Sequence, residues 1–145
     1  LRDVIRQLSD GGVKGAYKVG LVDERSEIAA CYEGIPQNDI GQRTDVADQT
    51  DKASGMLMLL RSMSPDVIAV DELAGENDAK AVKYLFGCGC KVIATVHGSD
   101  YEHVKNQPYI GELIGEYGFK RIVTLGRCNG NGSVENGWIK ELRKV

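Results

Sequence analysis

Apolar residues recur along the chain with two different periods, and the alternation between them predicts its elements. Leu1, Val4, Ile5 and Leu8 fall at i, i+3, i+4 and i+7, one face of a helix, which Gly11-Gly12 ends. Lys18-Val-Gly-Leu-Val-Asp23 reads as a short buried strand. Residues 24–50 are polar and irregular, with Gly34, Pro36 and Gly41 breaking any period, and read as one long loop. A loop of that length inside a small domain is usually functional or mobile. Ala53, Met56, Leu57 and Leu60 form the next helical stripe, with Asp51 as its N-cap and Pro65 as its stop. Val67-Ile-Ala-Val70 is an apolar strand bounded by Asp66 and by Asp71-Glu72. Asn77 is placed to cap a helix carrying Ala79, Val82 and Phe86 and closed by Gly87. Lys91-Val-Ile-Ala-Thr-Val-His97 is a further strand. A helical stretch broken at Pro108 follows, with Ile110, Leu113, Ile114 and Tyr117 on one face of its second piece. Arg121-Ile-Val-Thr-Leu125 is a strand, Asn129-Gly-Asn-Gly132 a turn, and residues 133–140 a returning hairpin arm.

Strands that are apolar throughout, alternating with helices, indicate an α/β fold with a mostly parallel sheet covered on both faces, in three layers. The 145 residues suit a single domain, 1–145, and the 42% hydrophobic and 27% charged content is ordinary for a globular chain. The formal net charge of −3 gives no electrostatic reason to expect nucleic acid as a partner. The longest apolar runs, Met56–Leu60 and Val67–Val70, are far too short for a transmembrane segment, and the N-terminus shows no signal-peptide pattern. Cys31, Cys88, Cys90 and Cys128 include no C-x-x-C pair, and with two histidines they read as reduced thiols of a cytoplasmic protein rather than a zinc site.

In a parallel sheet the working groups sit just past the C-terminal ends of the strands. There this sequence places Asp23-Glu24-Arg25, then Asp71-Glu72, then His97: four carboxylates and an imidazole from three strands. An acidic residue after a strand is often no more than a turn former or a helix cap. The apolar strand ending in Asp-Glu, however, has the form of a Walker B segment. Asp71 would hold Mg2+ through water, since that ion prefers hard oxygen ligands and keeps much of its hydration. Glu72 would orient and deprotonate a water aimed at a γ-phosphate, and His97 could reach that phosphate. Arg25, Arg43, Arg61 and Arg127 are candidates to meet phosphoryl charge, one or two of them at most. The sequence has no G-x-x-x-x-G-K-[ST], and the glycine-rich 126–132 segment lacks the Lys and following helix of a phosphate cradle.

Two other readings fit the same residues. A phosphoacceptor receiver would use Asp71 as acceptor and Thr95 as a switch hydroxyl. It would also need a Lys at the end of the last strand, where Arg127 stands. A non-enzymatic module could use the same sheet to build a ring.

The strings Val19-Gly-Leu-Val-Asp-Glu-Arg-Ser-Glu-Ile-Ala29, Gly41-Gln-Arg-Thr-Asp-Val46, Arg61-Ser-Met-Ser-Pro-Asp-Val-Ile-Ala-Val-Asp-Glu72 and Ala94-Thr-Val-His-Gly98 together resemble the stage III sporulation protein AA family. That family is similar to the P-loop ATPases of type II and type IV secretion. The resemblance implies a RecA/ASCE-type sheet lacking its first, P-loop strand, with residues 1–145 forming the C-terminal part of an ATPase domain and the Walker A loop expected just before Leu1. It assigns Asp71 and Glu72 to Walker B, His97 to a histidine box, and Asp23, Glu24 and Arg25 to an acidic box. It leaves Arg25, Arg43 or Arg61 as phosphate contacts from the same or a neighbouring subunit. It implies ATP and Mg2+ as cofactors and a homo-oligomeric ring, a hexamer being the candidate stoichiometry. It implies membrane-bound sporulation channel proteins as partners, and a cytoplasmic, mother-cell location with peripheral membrane contact. Leu73-Ala-Gly75 replaces the Ile-Gly expected after Glu72. Without the P-loop strand two apolar strand edges are expected to lie open, so oligomerisation through strand pairing or a rearranged sheet is expected, and the chain by itself is expected to hydrolyse negligible ATP.

Overall fold

The computed structural model describes residues 1–11, 15–115, 118–126 and 138–144. Gly12, Tyr117, Arg127, Cys128 and the 129–132 turn lie outside the described residues. The chain divides into two compact units, Leu1–His97 and Gly98–Val145.

In the first unit, helix α1 (Arg2–Asp10) ends at Gly11, whose left-handed φ of 89° turns its N–H back to the Gln7 carbonyl. Strand β1 (Val19–Asp23) is buried along its whole length. Strand β2 (Thr44–Asp48) follows, then helix α2 (Lys52–Met63), strand β3 (Val67–Val70), helix α3 (Gly75–Gly87) and strand β4 (Lys91–Ala94). The four strands form one sheet in the order β2-β1-β3-β4, parallel throughout.

The pleat assigns the two faces. Val19 and Leu21 of β1 and Ala69 of β3 pack with Ile5 of α1 and with Ala29 and Ile40 from the connection after β1. Gly20 and Val22 point the other way, under Leu59 and Gly55 of α2. A Cβ at Gly55 would stand 2.8 Å from a Val22 methyl, so glycine is what allows α2 to lie this close to the sheet. α3 packs beside α2 and against β4. The result is the expected α/β arrangement, a mostly parallel sheet between helices, compatible with a Rossmann-like fold.

Two expectations for this unit are corrected. Residues 24–50 are not one loop, because they contain β2. That strand is an edge strand with Val46 and Ala47 as its apolar residues, so it pairs through its backbone while its composition reads as polar. Asn77 does not cap α3. The helix starts two residues earlier, and the Asp78 carboxylate reaches back to the Ala74 N–H at 3.0 Å.

The second unit holds a short helix α4 (Tyr101–Lys105), a 3-10 turn (Gly111–Leu113), and strands β5 (Arg121–Gly126) and β6 (Trp138–Lys144). β5 was expected within the parallel sheet. It instead forms a separate antiparallel pair with β6, the arm that follows it in the chain, with an irregularity between Thr124 and Leu125. No helix among the described residues is long and apolar enough to cross a membrane.

Candidate functional site

The strand register sets the candidate site. Val22, Val70 and Ala94 lie on one rung of the sheet, so the next residues, Asp23, Asp71 and Thr95, emerge level at its C-terminal rim. Thr95 Oγ1 donates to Asp71 Oδ1 at 2.5 Å and accepts the Glu72 N–H at 2.8 Å. Glu72 itself is left-handed, with φ 53°. Its carboxylate lies between the His97 imidazole, with Nε2 at 3.2 Å from Oε1, and the Arg25 guanidinium, with Nη1 at 3.4 Å from Oε2. The Arg25 side chain is 63% exposed and that of Glu72 34%, so solvent screens this pair and it opens at little cost. Asp71, Glu72, His97 and Arg25 therefore share one rim, as the sequence suggested.

The other candidates are placed differently. Asp23, placed by the resemblance in the acidic box, does not face the rim as a free carboxylate. Its residue is 1% exposed, and its carboxylate accepts the N–H groups of Glu27, Ile28 and Ala29 at 3.0, 3.0 and 2.8 Å. It shapes the chain leaving β1. The same segment is tied further by Asn38, whose side chain donates to the Ile28 carbonyl at 2.9 Å. Glu24 pairs with Lys52 Nζ at 2.5 Å, at the start of α2. Arg43 and Arg61 do not reach the rim. Arg43 immediately precedes β2, with its N–H on Ser9 Oγ at 2.7 Å and its carbonyl accepting the Val19 N–H at 2.9 Å. Arg61 lies in the last turn of α2, which runs back from the rim. A five-residue strand spans roughly 16 Å, so both arginines stand at the opposite end of the sheet.

That opposite end carries a shallow polar cavity of about 290 Å³ lined by Ser9, Asp10, Ala16, Asp39, Gln42 and Arg43. Its polar side chains hold the backbone together. Ser9 Oγ accepts the Arg43 N–H, and Asp10 accepts the Gln42 N–H at 3.0 Å. Gly41, at φ 84°, sits so close that a Cβ would come within 2.5 Å of the Ser9 Cβ. The Gly41-Gln42-Arg43 string thus has a structural use here. Thr95 was weighed in the sequence only as a switch hydroxyl; its level position beside Asp71 was the signal for its present contacts. Lys52 gave no signal. Among the described residues no group of three His, Cys, Asp or Glu side chains could hold a metal ion.

Comparison with known proteins follows the whole chain rather than this rim alone. Residues 1–143 match the family model described as Sporulation stage III, protein AA. Stage III sporulation protein AA of Bacillus subtilis (strain 168) is 42% identical over 143 residues, which is 97% of this chain and 46% of that protein. An uncharacterized protein ycf45 of Porphyra purpurea is 31% identical over 87% of this chain and 21% of its own length. Protein SEEDLING PLASTID DEVELOPMENT 1 of Arabidopsis thaliana is 28% identical over 87% of this chain and 18% of its own. No solved structure matches significantly. The chain therefore spans less than half the length of these relatives, and by the extent of its match it belongs to the Sporulation stage III, protein AA family.

Proposed function

We propose that this chain supplies the Walker B half of an ATP-hydrolysing domain that works, as a homo-oligomeric ring, in a channel motor of sporulation. The single observation that carries the reading is the rim itself: an acidic pair at the tip of buried β3, with the Glu72 carboxylate 3.2 Å from His97 on the neighbouring strand's extension. In this reading Glu72 takes the proton of the attacking water. His97 and Arg25 hold Glu72 before nucleotide binds and turn to the γ-phosphate afterwards, a change favoured by the weakness of exposed ion pairs. Asp71 is a hard oxygen donor that suits Mg2+, which is held by few protein ligands and completes its shell with water and phosphate oxygens. When bound, that ion would neutralise triphosphate charge. Cytoplasmic location in the mother cell and docking on membrane-bound channel proteins belong to the same proposal.

The test is ATP hydrolysis by the protein at the full length of its relatives, with Glu72→Gln. Loss of kcat by about 10²-fold or more with nucleotide binding kept is expected. Binding without hydrolysis in both proteins would favour the assembly module instead.

One observation favours a second reading. The β2-β1-β3-β4 order with an Asp71–Thr95 hydrogen bond is also the start of a flavodoxin-like sheet such as receivers use. Against it, Asp23 is committed to backbone amides and β5 pairs with β6. Labelling by a small phosphodonor, abolished in Asp71→Asn, would establish the receiver; absence of labelling removes it.

A further inference from the structure

We infer that Thr95 is the positioning residue of the acidic rim, the group that fixes Asp71 and Glu72 in the geometry the proposed hydrolysis needs; the inference rests on that reading and deepens it. Thr95 makes four hydrogen bonds to four consecutive residues. Its N–H meets the Val70 carbonyl at 3.3 Å, its hydroxyl donates to Asp71 and accepts from the Glu72 N–H, and its carbonyl accepts the Leu73 N–H at 2.8 Å. The two backbone bonds belong to the sheet and its continuation, and any residue could make them. The two hydroxyl bonds need Ser or Thr.

What the hydroxyl holds is an unusual backbone. Successive side chains of an extended strand point to opposite faces, so Asp71 and Glu72 would diverge if β3 simply continued. The left-handed φ of 53° at Glu72 breaks that alternation, and few non-glycine residues adopt it without support. The Glu72 N–H bond to Thr95 Oγ1 is that support. The same hydroxyl hydrogen is directed to Asp71 Oδ1, which fixes the rotation of that carboxylate. One side chain just past the end of β4 thereby orients the metal-side acid and the water-side acid together. Because His97 follows two residues later, the tip that touches Glu72 and the hydroxyl that holds it are on one segment. Thr95 touches neither water nor phosphate in this scheme and acts through Asp71 and Glu72.

The experiment compares Thr95→Val, which keeps the shape and removes the hydroxyl, with Thr95→Ser, which keeps the hydroxyl, in two assays. The first is ATP hydrolysis by the full-length protein. Val is expected to lower kcat by about tenfold or more with little change in KM, the scale of one hydrogen bond to a charged group, and Ser to restore most of it. The second is amide hydrogen exchange at Glu72, which does not depend on any activity. Val is expected to accelerate exchange at Glu72 relative to Leu73, whose acceptor is a carbonyl, and Ser to keep Glu72 protected. Unchanged Glu72 exchange in Val, or Ser failing as badly as Val in both assays, overturns the inference. If the full-length protein hydrolyses no ATP and Glu72→Gln changes nothing, the reaction falls, and with it Thr95's part in hydrolysis. Selective Glu72 exchange in Val would then still establish the hydroxyl clamp as such.

Discussion

At the residue scale the largest departure from expectation is Asp23, and its burial states why. An ionised carboxylate removed from water is costly unless its oxygens are met, and here three backbone amides meet them. The same contact gives those amides partners inside a tight turn. Removing the side chain leaves three donors without their acceptor, each costing about 1–3 kcal/mol when buried. Only the Ala29 bond is fully buried, so Asp23→Ala is expected to lose about 1–3 kcal/mol in urea unfolding. Asp23→Asn keeps one acceptor oxygen and should lose less. Accelerated hydrogen exchange at Glu27, Ile28 and Ala29 should accompany the loss in both. If both variants keep wild-type stability, and exchange is unchanged, the turn is held by something other than this carboxylate. An acid at a strand tip was legible in the sequence. Its direction was not, because Asp23 and Asp71 occupy the same register and differ only in which neighbours reach them.

At the element scale, two helix starts carry aspartates with opposite pH behaviour. Asp51 caps α2: hydrogen bonds from the Ser54 side chain and then from its N–H, at 2.9 Å, hold its carboxyl below the ordinary value. A depressed carboxylate contributes stability above its unfolded pKa, near 3.9, and loses it as pH falls through the lower folded value. Asp78 in α3 is held above the ordinary value by burial, which outweighs the Ala74 N–H it accepts. Its contribution is fully present below the unfolded pKa and is lost as pH rises through the raised one. Asp51→Ala is expected to cost about 1 kcal/mol at neutral pH and progressively less in acid. Asp78→Asn, which keeps an acceptor for Ala74, should be neutral or stabilising at neutral pH and lose that advantage in acid. Thermal unfolding of both variants from pH 3 to pH 7 checks the signs. The sequence displayed α2 well, since Asp51, the Met56–Leu60 stripe and Pro65 mark both ends. It displayed β1 and β3 equally well, because central parallel strands are continuous apolar runs. It hid β2, whose edge position needs little apolar surface. Arg61 was misplaced for a topological reason: a helix that leaves the rim ends far from it.

For the Leu1–His97 unit as a whole, the sheet ends at β4, and no strand pairs its outer side among the described residues. β3 is fully buried, while Val92 and Ile93 of β4 are only partly covered. An apolar parallel strand with an unpaired backbone edge is a template for another strand. The direction of its donors follows from the contacts. The N–H groups of Lys91 and Thr95 point toward the β3 side, to Asp66 and Val70. Strand alternation then turns the Val92 and Ala94 N–H groups outward and the Ile93 N–H inward. We expect the chain to self-associate with rising concentration in sedimentation velocity. Val92→Pro removes an outward donor without touching the β3 pairing, a position where proline is tolerated in an edge strand. It should lower the association while leaving the circular dichroism spectrum and the melting temperature close to wild type. Ile93→Pro removes an inward donor and should unfold the unit instead, which separates a blocked edge from a broken sheet. A wild-type chain that stays monomeric from micromolar to millimolar concentration would sink the edge-pairing account. So would Val92→Pro associating as strongly as wild type, since the outward donors would then have no part in assembly.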